Sequence, residues 1–153
     1  EGVPWLGYVL CLVVGAAGVA AVRVATHREA RHEDTIAANI YAIETSLASI
    51  VEKIEALDRD KESIDVYELR HEIDRRFPDD LDAFVQARES IAHSFGLNAY
   101  ADVMNPFAAG ERYLNRVWST STDGYVDEAH ACLAKSHQQF QTALEVFHGL
   151  QKA

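Results

Sequence analysis

The sequence predicts an all-α protein: a single N-terminal transmembrane helix continuing into a cytoplasmic helical bundle with a heptad (coiled-coil-like) seam. Three observations carry that prediction. Positions 2–22 hold no Asp, Glu, Lys or Arg. Apolar residues recur at heptad spacing in two separate stretches, one starting at Ile36 and one at Val126. No alternation of apolar and polar residues runs long enough for a strand. The resulting organisation is an anchor over 1–25, a membrane-proximal heptad helix over 26–60, and a bundle over 61–153 that packs on that helix.

The anchor rests on length and flanks. Val3 to Val22 is 20 residues, which as a helix spans about 30 Å, the thickness of a hydrocarbon core. Trp5 and Tyr8 suit the headgroup level, and Pro4 suits a first helical turn. Arg23 and Arg28, with His27 and Arg31, follow the other end, so the positive-inside rule puts the N-terminus outside and the bundle in the cytoplasm. A cleaved signal peptide is the competing reading. It is disfavoured because the apolar run exceeds a usual signal core and no positive residue precedes it. Gly7, Cys11, Gly15 and Gly18, at spacings of 4, 4 and 3, place small residues on one face. Such a face admits a second transmembrane helix to close packing.

The heptad seam is Ile36, Ile40, Ile43, Leu47, Ile50, Ile54 and Leu57, at spacings of 4, 3, 4, 3, 4 and 3. With no Pro or Gly between Arg23 and Leu57, nothing stops a helix that begins at Trp5, and the rod would be about 80 Å long. Ala37 and Val51 widen the stripe, and Ile at 36, 43 and 50 disfavours a parallel dimer. Two uses stand open, an intramolecular core and an oligomeric coiled coil. A second seam in the same chain, Val126, Ala129, Leu133, Ser136, Phe140, Ala143, Phe147 and Leu150, favours the former.

Between the seams, Ser63 and Asp65 open a helix carrying Val66, Leu69, Ile73 and Phe77, and Pro78 ends it. Asp79 or Asp80 caps a third helix that buries Leu81, Phe84, Val85, Ile91 and Phe95 and stops at Gly96. Residues 97–105 read as a connector. Asn105 and Pro106 then read as N-cap and first residue of a shorter helix through about Trp118, with 119–124 a polar turn. Gly124 to Ala129, with Leu133, resembles the start of the second helix of a tetratricopeptide repeat. Arg116, Val117 and Thr120 depart from that pattern and no second copy is visible, so the resemblance implies a helical hairpin alone.

Chemistry is sparse. With 24 acidic and 14 basic residues the net charge is −10, which excludes nucleic acid as a main partner. Cys11 and Cys132 make no disulfide framework. Glu29–His32, Glu68–His71 and Glu145–His148 have the spacing found in di-iron bundles, but they sit among arginines or at a helix end, where cations are favoured in any case. His130 and His137 lack a third ligand at known spacing, and Asp79, Asp80 and Asp82 read as helix-start carboxylates. No metal, cofactor or catalytic residue is expected: there is no nucleophile elbow and no phosphate-cradling glycine loop. Tyr100, Phe107, Tyr113 and Trp118 form the candidate docking patch.

The expected function is therefore non-catalytic. The chain reads as an accessory, structural or scaffold subunit of a larger complex in the bacterial inner membrane. Its partners are other membrane subunits and the lipid bilayer, with a hetero-complex favoured over a homo-oligomer. The alternative is a membrane-anchored signal transducer that works through the long helix, followed by a metal-binding helical bundle.

Overall fold

The structure, a computed structural model, describes residues 35–152. The small-residue face Gly7, Cys11, Gly15 and Gly18 and the interfacial anchors Trp5, Tyr8, Arg23 and Arg28 lie outside the described residues, as does the whole of the anchor. Among the described residues, no helix is long and apolar enough to cross a membrane, and none of them is in a strand. Residues from Ala38 onward form one compact unit.

Helix α1 covers 35–60. A 3-10 turn (Lys61–Ser63) leads to α2 (Val66–Arg76), α3 (Pro78–Ala87), α4 (Glu89–Phe95), α5 (Leu97–Asp123) and α6 (Val126–Lys152). Side-chain bonds between elements give their directions. Asn39 donates to Ser90 at 2.8 Å, Ser49 to Asp80 at 2.7 Å, and Lys53 to Asp80 at 2.5 Å, so α2 to α4 return antiparallel along α1. Trp118 reaches back to Asp74 and Ser121 to Val66, which makes α5 antiparallel to α2. Gln151 donates to Glu44 at 3.1 Å, and His137 lies 3.3 Å from Asp58, so α6 is antiparallel to α1. The result is an up-down-up-down four-helix bundle whose second helix comes in three pieces.

The Ile-rich seam is core within one chain. Ile43, Leu47, Ile50, Ile54 and Leu57 are fully buried, Ile40 packs at the margin, and Ile36 is half-buried at the start of α1. On α6, Ala129, Leu133, Ser136, Phe140, Ala143 and Phe147 are buried in the same core, joined by Cys132, while Val126 is exposed and Leu150 half-buried. Phenylalanines tie the layers together. Phe84 stacks on Phe107 with ring centres 3.9 Å apart, Phe140 meets Phe107 edge-on at 5.5 Å, and Phe147 meets Phe95 at 6.4 Å. Each such burial contributes about 1.5–3 kcal/mol, whereas a surface ion pair contributes about 1 kcal/mol or less. Apolar periodicity therefore decides the fold.

Three local expectations are corrected. Residues 97–105 are not a connector: α5 runs unbroken from Leu97, with Pro106 inside it. A proline costs about 3 kcal/mol in a helix interior. Here the buried stripe Ala99, Val103, Phe107, Gly110, Leu114 and Val117 continues on both sides of Pro106 and outweighs that cost. Residues 119–124 are not a turn either. The hydroxyls of Ser119, Thr120 and Thr122 bond back to carbonyls in the preceding turn, which by itself weakens a helix slightly. Thr120 and Ser121 are buried, however, and Ser121 bonds across to α2, so packing holds the helix to Asp123. It ends at Gly124, φ +77°, where Tyr125 N–H reaches the Thr120 carbonyl and Gly124 N–H reaches that of Ser121. Finally, neither Asp79 nor Asp80 caps the third helix. Pro78 starts it after Phe77, Arg88 divides it into α3 and α4, and the Asp80 carboxylate is spent across the bundle on Ser49 and Lys53.

Gly110 lets α5 pack tightly on Phe140 of α6. A Cβ there would stand 2.9 Å from two atoms of the buried Phe140 ring, and the Gly110 carbonyl accepts a 2.8 Å bond from Ser136. Gly110→Ala gains about 1 kcal/mol of helix propensity, but overpacking against a pinned ring costs about 1–3 kcal/mol. The expected net result is a loss of about 1 kcal/mol, read as a lower Tm by circular dichroism. A raised Tm would show that Phe140 is free to move.

Candidate functional site

The four aromatics of α5 do not make one surface. Phe107 is fully buried between Phe84 and Phe140, so it offers nothing to a partner. Tyr100 and Tyr113 are half-buried against the core, with the Lys135 ammonium 5.6 Å above the Tyr113 ring. Trp118 alone of the four is exposed. The pattern of aromatics in sequence did not separate core from surface, whereas the periodicity of α5 does: Phe107 belongs to the buried stripe and Trp118 does not.

The exposed apolar side chains gather elsewhere. Six large hydrophobic residues are exposed among the described residues, and four of them, Tyr67 (52%), Trp118 (40%), Tyr125 (61%) and Val126 (45%), belong to the end of the bundle where α5 turns into α6 beside the start of α2. Tyr67, Tyr125 and Val126 were not singled out as a docking surface by the sequence reading. A signal was present, because they flank the two helix starts marked by Asp65 and Gly124.

Local chemistry fixes this end. The Asp65 carboxylate caps α2 by accepting from Tyr67 N–H at 2.8 Å. Ser121, buried on α5, donates to the Val66 carbonyl at 2.6 Å and accepts from Arg70 N–H at 3.0 Å. The Ser121 hydroxyl thus bridges the Val66 carbonyl and the Arg70 N–H, one turn apart on α2, and clamps the first turn of that helix to α5. The Trp118 indole N–H donates to both Asp74 oxygens, at 3.0 and 3.1 Å, which orients the ring. The Tyr67 hydroxyl lies over Gly124, where a Cβ would collide with it. Gly124 to Glu128 line a shallow depression of about 320 Å³ beside it. Asp65, Glu68, Asp123 and Asp127 are exposed around this end. The Glu128 carboxylate is held by Arg116 at 2.5 Å, and Arg70 donates to His71 at 3.2 Å.

Other titratable groups carry structural duties. Glu72 is bridged by Arg75 and Arg76, and Asp58 by Lys61 and His137. Of the Glu-x-x-His pairs, Glu29–His32 lies outside the described residues. Glu68 and His71 are exposed, and His148 lies 3.5 Å from Glu44 rather than bonding Glu145, which accepts from Gln141. No group of three His, Cys, Asp or Glu side chains among the described residues is placed to hold a metal ion. Burial and the nearby Glu128 raise the pKa of the Cys132 thiol above its ordinary value, against Lys135 and Arg116. The thiol is therefore protonated at neutral pH and a poor nucleophile.

Burial also raises the pKa of Glu111 on α5, partly offset by Arg88. A carboxyl whose folded pKa is raised contributes stability below its unfolded pKa and loses it as pH rises through the folded value. Glu111→Gln is therefore expected to raise Tm at pH 7 relative to the parent. The gain should shrink towards zero below about pH 4, and paired melts across that range check the sign.

Comparison with protein families, with curated proteins and with solved structures returned no match.

Proposed function

We propose that the chain is a non-catalytic, single-span membrane protein that serves as an accessory or scaffold subunit of a larger complex in a bacterial inner membrane, with the bundle on the cytoplasmic side. One observation carries the reading: an uncharged apolar run at 2–22 is joined to an acidic helical bundle that displays aromatic side chains at one end. The run has the length of a membrane span, and Arg23, Arg28 and Arg31 follow it. Tyr and Trp are the side chains that dominate binding energy at protein interfaces. An acidic surface is repelled by anionic headgroups, so the bundle faces proteins rather than lipid.

Native mass spectrometry of the protein, gently extracted from its source membrane, tests this reading. Foreign subunits at fixed stoichiometry are the expected result. A bare chain, or a homo-oligomer of this chain alone, would contradict it.

A further inference from the structure

The exposed aromatics at the turn end sit on a fixed base. Ser121 locks the first turn of α2 to α5 beneath them, Trp118 is oriented by Asp74, and the Tyr67 hydroxyl lies beside Gly124. Rigid aromatic rings lose little entropy on binding and are effective anchors. Their surroundings have one dominant sign. Asp65, Glu68, Asp123 and Asp127 are exposed; Arg116 is paired with Glu128, and Arg70, which keeps its charge while donating to His71, is outnumbered by the four carboxylates. The opposite end of the bundle also exposes apolar side chains, Tyr41 and Leu97, which supply the control surface.

Rings rimmed by carboxylates select a cation. A guanidinium or ammonium is attracted to the face of Tyr or Trp by about 0.5–1 kcal/mol at an exposed site, and the carboxylates add charge complementarity that sets specificity and association rate. We propose that the turn end of the bundle, Tyr67, Tyr125 and Val126 rimmed by Asp65, Asp123 and Asp127, docks a basic segment of a protein partner. The segment lays Arg or Lys side chains over the Tyr67 and Tyr125 rings and against Trp118, with an apolar residue on Val126. This inference rests on the reading of the chain as a complex subunit and specifies the face that reading requires.

The test uses the full chain in uncharged detergent micelles and a fluorescein-labelled peptide of alternating arginine and leucine, with a glutamate–leucine peptide as control. The arginine peptide is expected to bind, the glutamate peptide not to. Tyr67→Ser with Tyr125→Ser leaves every charge in place and is expected to weaken binding about tenfold. Tyr41→Ser with Leu97→Ser, at the opposite end, is expected to leave it unchanged. Should the Tyr67/Tyr125 pair not fold, Tyr125→Ser alone repeats the comparison, with a loss of about threefold expected. Parent-like affinity in the folded turn-end variant, or an equal loss in the opposite-end pair, overturns the proposal. Native mass spectrometry of the same variants separates the two claims. If the parent carries foreign subunits and Tyr67→Ser/Tyr125→Ser keeps all of them, this face is wrong and the subunit reading stands. If the parent carries none, the subunit reading fails, and the peptide titration still decides the face.

Discussion

Ile43→Asp is expected to lower the stability of the bundle by several kcal/mol, read as a large fall in its urea midpoint. Ile43 is fully buried in the seam, between Ile40 and Leu47 on α1 and facing the common core. A carboxylate at that depth either stays charged without a partner or takes up a proton at neutral pH, and both routes are unfavourable. The combined loss of apolar burial and cost of the polar group is about 4 kcal/mol or more, against a total stability of about 5–15 kcal/mol for a domain of this size. Ala48→Asp supplies the control: it adds the same charge to the exposed face of α1 and should shift stability by less than about 0.5 kcal/mol. Urea titration followed by circular dichroism reads both. A parent-like midpoint for Ile43→Asp would remove the seam from the core.

Phe107→Ala should cost about 3–5 kcal/mol. Phe107 stacks on Phe84 of α3, with Phe140 of α6 against its edge, so truncation opens a cavity shared by three elements that cannot collapse onto one. Trp118→Ala on the same helix removes a larger side chain. Its ring is partly solvated, however, and its indole N–H bonds only the exposed Asp74 carboxylate, so the expected loss is about 1 kcal/mol. The ordering matters more than either value. Equal losses would mean that Trp118 is part of the core and that the turn end is not a free surface.

The legible part of the fold was its apolar periodicity. The seams from Ile40 to Leu57 and from Ala129 to Phe147 could be written down residue by residue because heptad spacing survives any change of partner. Val126, which the same spacing puts in the seam, is exposed. What was misread was punctuation. Pro106 and the Ser-Thr run at 119–122 carry the local signatures of breaks, yet both fall inside α5. The stripe from Ala99 through Val103, Phe107, Gly110, Leu114 and Val117 crosses the proline without losing register, and a count of that stripe ahead of the breakers would have kept the helix whole. The helix carries through the Ser-Thr run because Thr120 and Ser121 are buried in the bundle and Ser121 bonds across to α2. The surface was less legible than the core. Burial of Phe107 follows from its position in the stripe, but the assembly of Tyr67 with Tyr125 depends on α2 packing antiparallel to α5, and no spacing within one helix encodes that pairing.

The Ile-rich seam is satisfied within its own chain, which leaves partners to bind elsewhere. The most direct measurement is the Tm of the full chain in detergent micelles over a hundredfold range of dilution (about two decades), since only an intermolecular core couples melting to protein concentration. An intramolecular seam predicts a Tm that does not move. A Tm that falls steadily on dilution would show that the seam is shared between chains, and would contradict both the bundle core and the assignment of docking to the turn end.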